Sequence, residues 1–531
     1  MKKAILGSLC LIFLVGCGVL DQLMPIVPTE LTEEEGVGVE APLISPLSQG
    51  VNGPRKGGSI TLSMRNPLSL NPIVNQDVTV DKVLRLLYEP LFEMKGMEAV
   101  PVLAQGIEIA QDYGSAIITL RSAFWEDGNA ITATDVGHTI NVIRNNPESL
   151  YYTGIANIRT HQVIDANTLQ VEFHAPLGGR LEHALLFPII PSHTNQPLSS
   201  GPFNIAQSTL PRSLTLERND LALRVPYLQQ VQVIITPDLE TDLHALNQGT
   251  IDLLSSSNGL PYLGVSTVSF DVAAYATHHF DFVAFNFDNI QLSDARVRQA
   301  ILYAALPHDL MYSAYLGQGQ RTSSVVHPAS GVYKQGLNYY ALDLNRSLAL
   351  FSESGFFYLG DNTLGTVTAG IQTPLNLRLL VNEENSSRVQ VARLLRENLE
   401  SLGIRVEMLE LDFESYQWAI AQRNFDIVLG GVNVYPFWDL RFLLGTGGEQ
   451  NFMNYASATL DYFLMQAVYA SDTQGYREAW YSIQEYLNQE VPLYGIAFRN
   501  GVLLTNPVIG GDIDPSISNV FRNIEAWFRT S

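Results

Sequence analysis

Strand-like and helix-like patterns alternate between Leu375 and Leu429, and this alternation constrains the fold more than any other feature of the sequence. Apolar residues fall at every second position in the predicted strands and three or four apart in the predicted helices. Three strands separated by two helices form a βαβαβ run, which implies a mostly parallel sheet with helices on its faces. The predicted elements are a strand at 375–381, a helix that Ser386 or Ser387 caps and Gly403 ends, a strand at 404–408, a helix at 413–423 and a strand at 425–429.

The segment Gly430–Asp439 follows the last of these strands. Ligands of open α/β sheets bind beyond the carboxyl ends of the strands, so this segment is the first candidate for a ligand site. It places Asn433, Tyr435 and Trp438 close to a pair of glycines. Aromatic rings with a few polar groups are typical of small-molecule sites, although the rings could equally belong to the core.

Similar patterns occur upstream. A strand is predicted at 59–64, where Ile60, Leu62 and Met64 alternate with polar residues. A strand at 231–235, a helix at 239–248 ended by Gly249, and a strand at 251–254 read as a βαβ unit.

An aromatic strand, Phe280–Phe287, separates the two α/β regions and leads into a helix at 294–305 that Ser293 is predicted to cap. A chain that builds one α/β lobe and then another predicts a cleft between the lobes. We place the crossing from the first lobe to the second near Asn286.

The N-terminus has the zones of an export signal. Lys2 and Lys3 precede an apolar run at 4–16 that ends at Cys17. Leu14-Val15-Gly16-Cys17 resembles the lipobox of bacterial lipoproteins, in which Cys17 would be lipidated after removal of residues 1–16. The run is shorter than the about 20 residues of a spanning helix, and an uncleaved anchor is the alternative reading.

Residues 17–57 contain several prolines and the acidic run Glu33–Glu35, which predicts a flexible tether. The whole chain carries a formal charge of −22 and shows no basic stripe, so nucleic acid is excluded as a partner. Cys10 and Cys17 are the two cysteines of the sequence, so no disulfide can hold the body together.

Motifs of common enzymes are missing from the sequence. It contains no His-Glu-x-x-His, Cys-x-x-Cys, Gly-x-Ser-x-Gly or phosphate-loop pattern, and no metal or cofactor is predicted. The adjacent pair His278-His279 would point to opposite faces of a strand. Glu126 and Asp127 could serve an exported hydrolase as a carboxylate pair, but Asp127-Gly128 reads better as a turn.

Several motifs together resemble the bacterial extracellular solute-binding proteins of family five, the peptide and nickel class that serves ABC importers. The resemblance extends from about Gly58 to the C-terminus. Its motifs are Gly58–Leu62, Leu87-Tyr88-Glu89-Pro90-Leu91, Trp125–Gly128 with Thr132–Val136, Ser200–Phe203, Gly249–Asp252, and Phe285–Phe287 with Asp294–Ala300.

The resemblance implies an α/β, two-lobed periplasmic-binding-protein-like fold with hinge strands and an extra subdomain inserted in lobe one. The implied divisions are 58–95 and 196–281 for lobe one, 96–195 for the inserted subdomain, 282–500 for lobe two, and 501–531 for a return segment of lobe one. It implies no catalytic activity. Together with the N-terminal signal, it predicts a monomer that is exported and lipid-anchored to the cell envelope. A small solute, predicted to be a short peptide, would close the lobes, and the closed form would be presented to an ABC permease and its ATPase.

The candidate ligand contacts are Tyr88, Phe203, Asn286, Gly431, Asn433, Tyr435, Trp438 and Asp439. Peptide-binding members often carry an acid in the loop at 431–439 that pairs with a peptide's amino group. This chain has Asn433 there, and Asp439 follows several residues later. An oligosaccharide or another small solute is therefore the alternative ligand, and a ligand sensor without transport is the alternative role.

Overall fold

The computed structural model describes residues 54–174, 181–257, 270–305, 310–434, 439–470 and 472–530. The strands are β1 (Ser59–Met64), β2 (Phe92–Lys95), β3 (Glu98–Pro101), β4 (Ala104–Ile109), β5 (Ser115–Leu120), β6 (Ile158–Asp165), β7 (Thr168–Phe173), β8 (Phe203–Ser208), β9 (Ser213–Arg218), β10 (Gln230–Ile235), β11 (Leu253–Ser256), β12 (Asp271–Phe285), β13 (Gly319–Arg321), β14 (Phe357–Tyr358), β15 (Leu364–Thr368), β16 (Ile371–Pro374), β17 (Asn376–Asn382), β18 (Arg405–Leu411), β19 (Ile427–Asn433), β20 (Leu493–Thr505), β21 (Ile509–Gly510) and β22 (Phe528–Arg529).

The helices lie between and beside these strands. They are α1 (Val78–Leu84), α2 (Ala133–Arg144), α3 (Tyr152–Ile155), α4 (Leu239–Asn247), α5 (Ala295–Ala305), α6 (Leu310–Ser313), α7 (Leu344–Glu353), α8 (Ser386–Ser401), α9 (Phe413–Ala421), α10 (Arg441–Leu444), α11 (Ala458–Val468) and α12 (Thr473–Glu490).

The first lobe is built on a sheet with the strand order β1-β10-β9-β8, in which β1 and β10 are parallel. A second, antiparallel sheet in the order β4-β5-β7-β6 packs with α2. The alternation predicted for β1 is confirmed, since Ile60, Leu62 and Met64 are buried and their neighbours are not. One continuous apolar core joins both sheets and includes Trp125 and Trp527.

The second lobe contains the parallel strands predicted from the alternating pattern. β18, β17 and β19 are neighbours in this order, and both pairings of β17 are parallel. One apolar core lies on each face of the sheet, as helices on both faces require. The predicted βαβαβ run is therefore confirmed.

Two long strands connect the lobes. β12 has 15 residues and β20 has 13, and they pair antiparallel. Tyr275 of β12 packs in the core of the first lobe, whereas Phe280 packs in a core of the second. The register between β12 and β20 is irregular between Ala276 and Phe280. The chain thus crosses earlier than Asn286, the position predicted from the sequence, because the strand continues through both cores.

The βαβ unit predicted at 231–254 is wrong in its last strand. β11 begins at Leu253 and pairs antiparallel with β20, in a different sheet from β10. Asp252 explains the shift, because its backbone N–H donates to the Thr61 carbonyl at 2.7 Å and its carboxylate accepts from the Thr61 N–H at 2.8 Å. Asp252 is thus hydrogen-bonded to β1, and β11 begins only at the next residue, Leu253.

Two predicted helix caps are also corrected. Asn385, not Ser386 or Ser387, caps α8, since its side chain accepts from the Arg388 N–H. Ser293 ends a short 3-10 turn, and the Asp294 carboxylate accepts from the Arg296 N–H at the start of α5. Asn385 lies one residue before Ser386, Asp294 lies one residue after Ser293, and both are residue types that cap helices about as well as serine does.

Candidate functional site

The carboxyl ends of three parallel strands meet at one edge of the second lobe. Asn382 ends β17, Asp412 follows β18, and Asn433 ends β19. Helices α8 and α9 begin at this edge, so their N–H groups and positive dipole ends point the same way. This edge is where open α/β sheets bind ligands. It is the site predicted from the sequence, although β19 extends to Asn433 instead of ending at Leu429.

Glycines make room for close packing in β19. Gly430 and Gly431 pair with Phe282 and Asp281 of β12. A Cβ atom on Gly430 would stand 2.5 Å from the Phe282 ring, and one on Gly431 would stand 2.5 Å from Nη2 of Arg388. A side chain at either position would force its neighbour to move.

A buried ionic cluster lies directly behind Gly431. The Asp281 carboxylate is fully buried and accepts from Nε of Arg388 at 3.0 Å, from Nε of Arg499 at 2.7 Å and from the Tyr315 hydroxyl at 3.0 Å. Nη2 of Arg499 also donates to Oδ1 of Asn385, the cap of α8, at 2.7 Å. The cluster therefore ties β12, β20 and the start of α8 together near the crossing of the lobes.

The cluster carries one net positive charge at neutral pH. Burial alone would raise the pKa of the Asp281 carboxyl, but the charges of Arg388 and Arg499 hold it below its ordinary value. Burial lowers the pKa of His279, whose Nε2 is 3.8 Å from Asp281, to about 4. His279 is thus neutral, and two guanidinium groups face a single carboxylate.

The predicted ligand contacts fall into three groups. Gly431, Asn433 and Asp439 are exposed at or after the end of β19, and Asp439 forms an ion pair with Arg441. Tyr435 and Trp438 lie outside the described residues, as does the predicted lipidation site, Cys17.

The remaining three predicted contacts are buried. Tyr88 and Phe203 belong to the core of the first lobe, with relative exposures of 2% and 0%. The Asn286 amide donates to the carbonyls of Arg423 and Phe425 and is used inside the second lobe. Because their side chains are enclosed by protein, we leave these three out of the proposed site.

Sequence reasoning missed Asp281, Arg388 and Arg499. A signal was present, because Asp281 lies in the otherwise apolar run Phe280–Phe285 of β12, Arg499 is the one charged residue of β20, and a buried charge requires a partner. Their partners could not be found by spacing, since Asp281 is 107 residues from Arg388 and 218 from Arg499.

The carboxylate pair considered for hydrolysis is part of a turn. Asp127 accepts from the Asn129 N–H at 2.9 Å and lies 3.0 Å from Nε2 of His193, and Gly128 has a φ of +88°. The turn reading is confirmed. Among the described residues, no group of three or more His, Cys, Asp or Glu side chains could hold a metal ion.

An open groove of about 780 Å³ lies at the opposite end of the second lobe. It is lined by the amino-terminal residues of β17 and β18, including Arg378 and Arg405. Both arginines are paired with carboxylates, Arg378 with Asp426 and Arg405 with Asp361. The groove is therefore separate from the carboxyl edge that carries the candidate site.

None of the helices in the described ranges has the length and apolar character needed to cross a membrane.

Comparison with known proteins gives consistent results. The sequence model of the "Bacterial extracellular solute-binding proteins, family 5 Middle" matches residues 98–454. A Brucella ovis protein named as an ABC transporter peptide-binding protein is 21% identical over 374 residues, covering 66% of this chain and 68% of its own. An Escherichia coli periplasmic protein named for deoxycholate binding is 22% identical over 497 residues, covering 84% of this chain and 89% of its own.

The fold is also found in solved structures. The ABC transporter substrate-binding protein CtaP of Listeria monocytogenes superimposes with a TM-score of 0.76 at 21% identity, covering 90% of this chain and all of its own. The two-lobed architecture read from the strand order thus has a direct structural counterpart.

Proposed function

Because this chain belongs to the bacterial extracellular solute-binding proteins of family 5, we propose that it captures short peptides between its two lobes for an ABC importer. The carboxyl edge of β17, β18 and β19 supplies the second-lobe half of the site. The single observation that carries this proposal is the exposed segment from Gly431 to Asn433, which offers backbone groups at that edge. Extended peptides are held largely through such main-chain groups.

The two connecting strands support a closing motion. β12 and β20 cross between the lobes as one antiparallel pair, and their register is irregular at the crossing. A few residues at such a point can absorb the rotation of a hinge. A ligand that touches both lobes would favour the closed form, because only contacts made in that form shift the equilibrium.

A different solute is the second candidate. Asn433 brings no charge to the place where an acid would pair with a peptide's amino group, and one relative is named for deoxycholate binding. The family's members are solute-binding proteins, so we propose no catalytic activity for this chain. Lipid anchoring at Cys17, a monomeric state and delivery to a permease complete the proposal.

The identity of the solute can be tested on the full-length protein, purified in detergent without denaturation. Released small molecules are identified by mass spectrometry after unfolding, and thermal shifts are recorded with pools of short peptides. A mixed set of released peptides, or a thermal shift with a peptide pool, is the expected result. A single non-peptide compound together with no response to peptides would replace the peptide by another solute on the same fold.

Closure is tested separately by small-angle X-ray scattering. The radius of gyration is expected to fall when the stabilising pool is added. An unchanged radius with saturating ligand would contradict capture between the lobes.

A further inference from the structure

Arg321 is a cation without a counter-ion in the second lobe. It ends β13, the short strand that pairs with β20. Its terminal nitrogen Nη2 is buried and hydrogen-bonds to no described residue. Within the described ranges, no carboxylate lies at ion-pair distance from its guanidinium, which lies over the Tyr339 ring with 5.6 Å between Cζ and the ring centroid. A charge taken out of water is stabilised by an opposite charge, and none is present among these residues.

Hydroxyl groups with unused hydrogens lie in the same region. The Tyr333 and Tyr339 hydroxyls are 3.1 Å apart. Because only one of them can donate to the other, the second hydroxyl hydrogen has no acceptor among the described residues. Ser323 is 3% exposed, and its Oγ is buried without a hydrogen-bond partner in the part of the chain that the structure describes. The region thus offers donors and lacks an acceptor.

The electrostatics of Tyr494 place these side chains close together. Burial raises the pKa of Tyr494 well above its ordinary value, and the charge of Arg321 opposes this rise. Tyr339 and Tyr333 add to the rise. Burial and Tyr339 raise the pKa of Tyr333, whereas Ser323 opposes them. Such effects are strong only between near neighbours, so Arg321, Ser323, Tyr333 and Tyr339 form one group, the Arg321 cluster.

Helix α12 holds the tyrosines of the cluster in place. Oε1 of Gln484 accepts from the Lys334 N–H at 3.1 Å. Asn488 accepts from the Asn338 N–H at 3.0 Å and donates to the Asn338 carbonyl at 2.9 Å. Each anchored backbone position is the chain neighbour of one of the two tyrosines. The donors are therefore positioned before any ligand arrives, which lowers the entropic cost of binding.

The Arg321 cluster is separate from the candidate ligand site. Arg321 pairs with Ala497, Ala497 pairs with Asp281, and Asp281 pairs with Gly431, so all four stand in one row across the sheet. Three strand spacings put Arg321 about 14 Å from Gly431. Tyr339 is 39% exposed, so the cluster can be reached from solvent on its own side.

We propose that the cluster binds a small tetrahedral oxyanion, phosphate or sulfate, through its four side chains. Guanidinium and hydroxyl donors form strong hydrogen bonds with negatively charged oxygens. Donors at four positions of the chain outnumber the two oxygens of a carboxylate and match the four oxygens of a tetrahedral anion. This site goes beyond the proposed function and does not depend on it.

Anion titration of the full-length protein provides the first test. The protein is kept in detergent and Tris-chloride buffer, and sodium phosphate and sodium sulfate are titrated separately by calorimetry. Sodium chloride holds the ionic strength constant, so screening does not change. Saturable binding of one phosphate or sulfate per chain is expected, with a rise in melting temperature that saturates over the same concentrations. The anion that binds more tightly is the one that the site selects, and binding of neither would overturn the proposal.

Variants locate the bound anion. Arg321→Gln removes the charge, and Tyr339→Phe removes one hydroxyl but keeps the ring under the guanidinium. Each is expected to weaken anion binding at least about tenfold, since a hydrogen bond to a charged group is lost. Arg346→Gln is the control, because Arg346 is exposed and paired with Glu353, and it should bind the anion like the unaltered protein. Unchanged affinity in folded Arg321→Gln would place the anion elsewhere and overturn the proposal.

Circular dichroism establishes that each variant is folded before titration. Should Arg321→Gln fail to fold, Tyr339→Phe and Ser323→Ala decide the question, and full affinity in both would overturn the proposal. The response to peptide pools is recorded for the same variants and is expected to be unchanged. Loss of that response in a folded variant would contradict a separate site, whereas failure of the unaltered protein to respond to peptides bears only on the proposed function.

Discussion

Charged residues inside apolar segments form the buried ionic cluster next to the candidate site. Asp281 lies in an otherwise apolar run of β12 and Arg499 is the one charged residue of β20, and the structure brings them together with Arg388. Their burial follows from the apolar pattern around them and could be read from the sequence. Their pairing could not, because it depends on how helix α8 and the two crossing strands pack, which no local pattern encodes.

Glu89 gives a prediction at the same scale. It is buried in the first lobe, and burial raises the pKa of its carboxyl to about 7, with Arg224 opposing this effect and Glu93 and Glu525 adding to it. Between the ordinary value and pH 7, the folded protein keeps a proton that the unfolded chain has released. The free energy of unfolding therefore falls as pH rises through this range.

Replacing Glu89 by Gln should remove this loss. The free energy of unfolding of Glu89→Gln minus that of the unaltered protein is expected to increase by up to about 3 kcal/mol between pH 5 and pH 8. Urea unfolding at both pH values measures the gain, with the exposed Glu108→Gln as control. A constant difference between Glu89→Gln and the unaltered protein at both pH values would contradict the assigned pKa.

Helices and strands could be predicted from the sequence wherever the spacing of their apolar residues stays regular over the whole element. The βαβαβ run from β17 to β19 was read correctly because helix and strand periods differ clearly there. The errors occurred at element ends: a cap placed one residue late, β11 begun too early, and β19 stopped too soon. Each end is decided by a tertiary contact, such as that of Asp252 with Thr61, which local sequence does not reveal.

The pairing of β12 with β20 leads to a prediction at this scale. Gly501 stands opposite Tyr275, and a Cβ atom on Gly501 would collide with the Tyr275 ring. Gly501→Ala is expected to lower the free energy of unfolding by about 1–3 kcal/mol through overpacking. Chemical denaturation measures this loss.

The double variant Gly501→Ala/Tyr275→Leu serves as the control for that collision. A shorter side chain should accept the added methyl group, so the double variant is expected to lose less stability from Gly501→Ala than the tyrosine form does. Equal losses in both backgrounds would mean that the collision with the Tyr275 ring is not the source of the loss.

At the scale of the whole molecule, the motifs of a known family predicted two lobes, and the strand order and structural relatives agree. What the sequence could not supply was the path of the chain between the lobes. The return of β20 beside β12 joins residues more than two hundred positions apart. The predicted residue limits of the lobes and of the inserted segment stay predictions.

The final segment of the chain closes the core of the first lobe. Trp527 is 0% exposed in the same core as Ile60 and Leu62 of β1, so both ends of the described body stabilise one lobe. Trp527→Ala is expected to lower the free energy of unfolding by about 3–5 kcal/mol. Trp418→Ala, at a ring that is 63% exposed, should change it by less than about 0.5 kcal/mol. Similar losses from both variants, measured by thermal and urea unfolding, would contradict this role of the C-terminal segment.

The break in pairing between Ala276 and Phe280 has a consequence for how the molecule can deform. Two antiparallel strands that remain hydrogen-bonded on either side of a break resist sliding past one another, because sliding would rupture both ladders at once. Torsion about the ribbon axis ruptures neither. We therefore expect the connection to twist more readily than it slides, and its amide protons between Ala276 and Phe280 to exchange with deuterated solvent faster than those of Phe282–Phe285.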